Sequence, residues 1–136
     1  VRSALDYVLL HEATHVVDAA LKLNPAYAAT GQQLDSAAAK PFTAGIWKSR
    51  TLPVAGWHHA LLLQIPFRRG GRALPISDAA QVYSLLQQKP FVSLYGSSWS
   101  EDLAELVTVA YFTRKQQPFR IVLRRSDQQI WAYESM

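Results

Sequence analysis

The chain contains no cysteine. Disulfide bridges are therefore excluded, and so are thiolate zinc sites; any metal has to be held by imidazole and carboxylate groups. The redox compartment stays open. No run approaches the roughly 18 consecutive apolar residues of a membrane-spanning helix, and the first residues lack the basic-then-apolar layout of a signal peptide. Charge of one sign is also scarce: 14 Lys and Arg against 10 Asp and Glu leave a net charge of only +4. The dense basic runs of a dedicated nucleic-acid binder are missing, and Arg68-Arg69, Arg72 and Arg124-Arg125 read as solvated faces. Trp47, Trp57, Trp99 and Trp131 read as packing rather than stacking platforms, because none is interleaved with a sustained basic stretch. Neither a nucleic-acid partner nor a membrane span is expected.

What is present is an ordinary globular composition. With 136 residues, 49% of them hydrophobic, the chain is the size of one domain and can bury a core without a staple. From Val1 to about Leu23 it reads as one helix, with Ala4, Leu5, Val8, Leu9 and Val16 at three- and four-residue spacing until Asn24-Pro25 stops it. Between Pro25 and Pro75, repeated Pro and Gly predict short helices and loops, with one extended run at Leu61–Ile65. Asp78 to about Lys89 is expected to be a helix opened by an Asp78/Gln81 capping box and ended by Pro90. Phe91–Tyr95 alternates like a short strand. After Gly96-Ser97-Ser98 a second long helix is predicted from Glu101 to about Arg114, with Leu103, Leu106, Val107 and Ala110 as its buried stripe. Phe119–Leu123 and Ile130–Tyr133 form a candidate hairpin around Ser126-Asp127-Gln128-Gln129.

His11-Glu12-Ala13-Thr14-His15 is an H-E-x-x-H sequence placed inside the first predicted helix. Positions four apart on a helix lie on one face, one turn above the other, so both imidazoles can reach a single ion. Two neutral imidazoles leave zinc its full charge, which lowers the pKa of a bound water towards about 7. Glu12 would take the proton from that water and pass it to the leaving amine. The alternative is a pair of core histidines bonded to their neighbours. Asp18 extends the same stripe, where its carboxylate would accept the second ring N–H of a ligand or neighbouring group, or else lie in solvent.

A catalytic zinc usually has three protein ligands and one open position, so a third His, Asp or Glu is needed. The pattern with a third His shortly after a Gly is absent, since Asp18 and Leu21 stand at the two positions. Of His58 and His59, adjacent in the chain, at most one could join. Glu101-Asp102-Leu103-Ala104-Glu105 offers more: two glutamates four apart on one face of an otherwise apolar helix. Burying two carboxylates costs several kcal/mol unless something pairs with them. A zinc ion on Glu101 and a ligand imidazole on Glu105 would do both, with Glu105 fixing the tautomer of that imidazole. A competing explanation for Glu101 is a capping box with Ser98, which leaves Glu105 unexplained.

These two patches together resemble the gluzincin metallopeptidases, in which H-E-x-x-H on one helix is completed by a Glu from a later helix. The closer likeness is to lethal-factor-type peptidases, whose first motif continues to an Asp as His11 to Asp18 does, and in which a Tyr precedes the acidic stretch as Tyr95 precedes Glu101 to Glu105. The resemblance implies that Tyr95 directs its hydroxyl at the oxyanion formed when water attacks the peptide carbonyl. It covers only Val8–Asp18 and Tyr95–Glu105, with an unusually long segment between.

The expectation is therefore a mainly helical α+β domain over 1–136 with a zincin-like core, the active-site helix packed on the helix that opens at Glu101. One Zn2+ per chain would serve hydrolysis of a peptide or protein substrate, as an endopeptidase rather than an exopeptidase. The chain opens on Val1 within a helix, so it reads as lacking upstream residues, where such enzymes normally carry the strand that aligns substrate; Phe91–Tyr95 and the C-terminal strands are the substitutes at hand. The rival readings are a zinc-binding protein without turnover and a metal-free basic binding module.

Overall fold

The computed structural model describes residues 4–26, 40–64, 75–117, 120–124 and 130–135. Among them the chain is a mainly helical α+β protein, in the order α1 (Ala4–Leu21), β1 (Trp47–Ser49), β2 (Leu52–Pro53), α2 (Ala60–Leu63), a single 3-10 turn (Ile76–Asp78), α3 (Ala79–Gln87), α4 (Trp99–Arg114), β3 (Arg120–Arg124) and β4 (Ile130–Ser135). Two antiparallel pairs, β1 with β2 and β3 with β4, make up the sheets. The expected C-terminal hairpin is present, with Val122 opposite Tyr133; the expected connection at Ser126 to Gln129 lies outside the described residues. Among the described residues no helix is long and apolar enough to cross a membrane.

The two long helices pack on each other, as expected. Each ends on a non-glycine residue in the left-handed region, Lys22 (φ 53) and Gln116 (φ 55). The strain of that conformation, about 1 kcal/mol, is offset by the bond that closes each helix. Leu23 N–H donates to the Asp18 carbonyl (3.3 Å), and Gln117 N–H to the Phe112 carbonyl (2.9 Å). The first turn of α4 is held from several sides. Ser98 caps it by accepting from Glu101 N–H (3.4 Å), and Trp99 N–H donates to the Arg50 carbonyl at the tip of the β1–β2 hairpin (3.1 Å).

Which faces turn inward differs from expectation. The apolar stripe of α1 points outward, with Leu5 59%, Leu9 58% and Val16 69% exposed, while His11 and Thr14 are buried. On α4 the buried residues are Trp99, Ser100, Asp102, Leu103, Ala104, Glu105, Thr108 and Phe112. Leu103 alone of the predicted stripe is among them; Leu106, Val107 and Ala110 are exposed. The hydrophobic core proper gathers Trp47, Val82, Leu86, Trp99 and Leu103, with the Trp47 and Phe91 rings 5.3 Å apart. The α1–α4 contact thus buries polar side chains such as His11 and Glu105 beside the Tyr7 and Phe112 rings, and buried polar groups call for hydrogen-bond partners.

Three local expectations are corrected. The run from Leu61 to Leu63 is helical, because Ala-Leu-Leu-Leu are strong helix formers and His59 Nδ1 accepts from Leu61 N–H to start the turn; Ile65 lies outside the described residues. The helix after Asp78 forms, yet Asp78 makes no side-chain cap bond; a 3-10 turn leads into α3 instead, and the carboxylate accepts from Ser77 Oγ (3.1 Å). Phe91–Tyr95 is not a strand. Two of its N–H groups are taken locally, Val92 by Asp102 Oδ1 (3.2 Å) and Tyr95 by Ser93 Oγ (3.0 Å), which leaves those two unavailable for a ladder.

This loop is locked against α4 at Gly96, whose N–H donates to the Ser93 carbonyl (3.1 Å). A β-carbon there would stand 2.7 Å from Asp102 Oδ1 and 3.2 Å from the Ser93 carbonyl oxygen. Gly96→Ala is therefore expected to lower the free energy of unfolding in urea by about 1–3 kcal/mol, the usual cost of overpacking. An unchanged midpoint and slope would show that the loop can move aside.

Candidate metal centre

Helical spacing puts Tyr7, His11, Thr14, His15 and Asp18 on the side of α1 that meets α4. From the opposite helix, Glu101 and Glu105 face them one turn apart. His11 Nε2 lies 3.0 Å from Glu101 Oε2 and 3.2 Å from His15 Nε2, and His15 Nε2 lies 3.4 Å from the same glutamate oxygen. Three atoms able to bind a metal thus close a triangle, and His11, His15 and Glu101 can together hold an ion.

The other nitrogen of His11 bears on what the triangle can contain. Nδ1 sits 2.9 Å from Glu105 Oε1, and a carboxylate accepts only, so the ring donates N–H there. In a neutral ring the lone pair is then on Nε2, facing the Glu101 oxygen and the second imidazole. Electron-rich atoms at such separations repel unless positive charge sits among them, either a shared proton or a metal ion. In a tetrahedral site with ligand atoms about 2.0–2.1 Å from zinc, neighbouring ligand atoms lie roughly 3.3–3.4 Å apart. The three observed separations come within a few tenths of an ångström of that, so the residues fit such an ion. His11 is buried, whereas the His15 and Glu101 side chains keep 25% and 21% of their exposure, which gives the cluster one side open to solvent.

Glu105 is buried and accepts from three side chains: His11, Tyr7 Oη on the same oxygen (2.5 Å), and Ser93 Oγ on the other (2.5 Å). Burial raises the Tyr7 phenol well above its ordinary pKa, and the hydrogen bond to Glu105 and its charge add to the rise, so Tyr7 remains a donor. Its ring stacks on His11 on one side (centroids 6.4 Å apart) and on Phe112 of α4 on another (6.2 Å).

Of the residues singled out in the sequence, His11, His15, Glu101 and Glu105 come together. Tyr95 joins them through its ring, which meets the His11 imidazole edge-on at 5.1 Å. Glu12 is exposed on α1 beside the two histidines. Asp18 does not serve a ring nitrogen. Its two oxygens accept Asn24 N–H (2.7 Å) and Asn24 Nδ2 (2.9 Å), and the same Nδ2 donates to the Trp99 carbonyl (3.4 Å), so Asp18 ties the end of α1 to the start of α4. His59 caps α2 and His58 is exposed; neither belongs to the metal-holding group. Ser98 caps α4 through Glu101 N–H, which leaves the Glu101 carboxylate free for the histidines.

Tyr7 and Ser93 escaped the sequence reading. A signal existed for Tyr7, four positions before His11 and hence on its face. Ser93 carried none, being a serine in a loop whose position depends on tertiary contacts. Comparison with protein-family models, with curated proteins and with solved structures finds no match for this chain.

Proposed function

We propose that the chain is the catalytic part of a zinc-dependent peptidase of the gluzincin kind, with a zincin-like core made by α1 and α4. The observation that carries the reading is the convergence of His11, His15 and Glu101, remote in sequence, with separations of 3.0–3.4 Å between their ligand atoms. The H-E-x-x-H spacing gives the chemistry. When bound, zinc supplies a Lewis-acid charge that makes hydroxide available near neutral pH.

The chain's own residues do the rest. Glu12, one residue from His11 and open to solvent, takes the proton of the attacking water and later delivers it to the leaving amine. Tyr95, whose ring leans on His11, offers its hydroxyl to the oxyanion of the tetrahedral intermediate. Glu105 keeps the His11 lone pair on Nε2.

The first test is metal content. Protein purified and then dialysed against zinc is expected to carry one zinc per chain by elemental analysis, and His15→Ala to carry none after the same treatment. Equal zinc in both, or none in the wild type, would end the reading.

A further inference from the structure

A glutamate terminus has no strong preference of its own about the last torsion, since that rotation is broad and two-fold. Glu105 nonetheless has to present one oxygen in the plane of the His11 N–H if it is to hold the imidazole on the ion. We propose that Tyr7 and Ser93 are positioning residues for the metal centre: their hydroxyls fix the plane of the Glu105 carboxylate and thereby set how tightly the centre holds its ion. The inference rests on the metal-site reading of His11, His15 and Glu101.

The geometry is specific. Tyr7 Oη donates to Oε1, the oxygen that also receives His11 Nδ1–H, while Ser93 Oγ donates to Oε2. Donors on opposite oxygens, arriving from α1 and from the 91–98 loop, leave the carboxylate no free rotation. Tyr7 is itself held, stacked between His11 and Phe112. Ser93 has a second task, because its Oγ accepts Tyr95 N–H at 3.0 Å. One hydroxyl thus joins the carboxylate behind His11 to the backbone of the residue whose ring lies against that same imidazole. A hydroxyl present only to satisfy a buried carboxylate would affect stability and leave metal binding alone; these two act on metal binding through Glu105.

The test is zinc affinity by competition with a chromophoric chelator, together with the visible spectrum of the cobalt-loaded protein. It uses the wild type, Tyr7→Phe, Ser93→Ala, Glu105→Gln and the two double variants with Glu105→Gln. Tyr7→Phe and Ser93→Ala are each expected to weaken zinc binding about 10–100-fold, the range for groups that orient a ligand, and to shift the cobalt bands. Added to Glu105→Gln, each is expected to weaken binding less than about threefold further, because the group it acts through is already altered. Wild-type zinc affinity in both single variants, with only the unfolding midpoint lowered, would overturn the inference while leaving the metal site standing. Full additivity with Glu105→Gln would overturn it as well. Failure of the wild type to bind zinc at all would overturn this inference and the metal-site reading together. Should one variant fold poorly, the other carries the same comparison.

Discussion

Glu12→Gln is expected to lower kcat for hydrolysis of a broad peptide library by about two to four orders of magnitude, the range typical of a lost general base, while zinc content stays at the wild-type level. The amide keeps the size of the carboxylate but cannot take a proton from water. Because Glu12 is exposed and stands outside the triangle formed by His11, His15 and Glu101, the substitution leaves metal retention and folding to the other residues. The separation of the two effects makes the experiment informative. Loss of zinc along with activity would place Glu12 in the metal site rather than at the attacking water. Turnover by the variant at the wild-type rate would remove the proposed mechanism. A wild type that binds zinc and cleaves nothing in the library would favour a zinc-binding protein without turnover.

The parts of this site that could be read from sequence share one property: they depend on spacing within a single helix. His11 and His15 four apart, and Glu101 and Glu105 four apart, must lie on one face wherever the helix goes. That the two faces meet was an inference from the cost of burying carboxylates, and the α1–α4 contact is where His11 and Glu105 are buried together. Periodicity could not say which face turns inward. On α1 the regular stripe of Leu5, Leu9 and Val16 faces solvent and the polar stripe faces α4, the reverse of what hydrophobic burial alone would choose. A helix that hides its histidines and shows its leucines is positioned by its polar contacts, and sequence patterns weigh those contacts poorly.

Shorter elements were harder to read, for a different reason. β1 and β2 span three and two residues, too few for an alternating pattern to register. Phe91–Tyr95 had the alternation and not the strand, because Asp102 and Ser93 side chains captured two of its N–H groups. Asp18 lies on the histidine side of α1, three residues beyond His15. Its partner, Asn24, could not be foreseen, since it depends on Lys22 turning the chain back through a positive φ.

Asp102 sets the largest expected effect on stability. It is almost wholly buried, and burial pushes its carboxyl up to about 7; the nearby charge of Glu105 adds to the rise, while Val92 N–H and the Trp47 indole oppose it. Since the folded value exceeds the unfolded value of 3.8, the native state holds this proton more tightly than the unfolded chain does. Below about pH 4 both states are protonated and the group is neutral to stability. Between about pH 4 and 7 the unfolded chain is ionised and the native state is not, so stability falls as pH rises, by a ceiling on the order of 4 kcal/mol. Asp102→Asn keeps an oxygen for Val92 N–H and has no proton to lose. Urea unfolding of both proteins at pH 4.5 and pH 8, with chelator present so that metal release does not enter, is expected to show the variant gaining several kcal/mol relative to the wild type at the higher pH. Contributions from groups that the two proteins share cancel in that comparison. If the two stabilities instead change in parallel, Asp102 is ionised in the folded protein across the whole range, and the buried end of α4 carries a charge that Val92 and Trp47 suffice to hold.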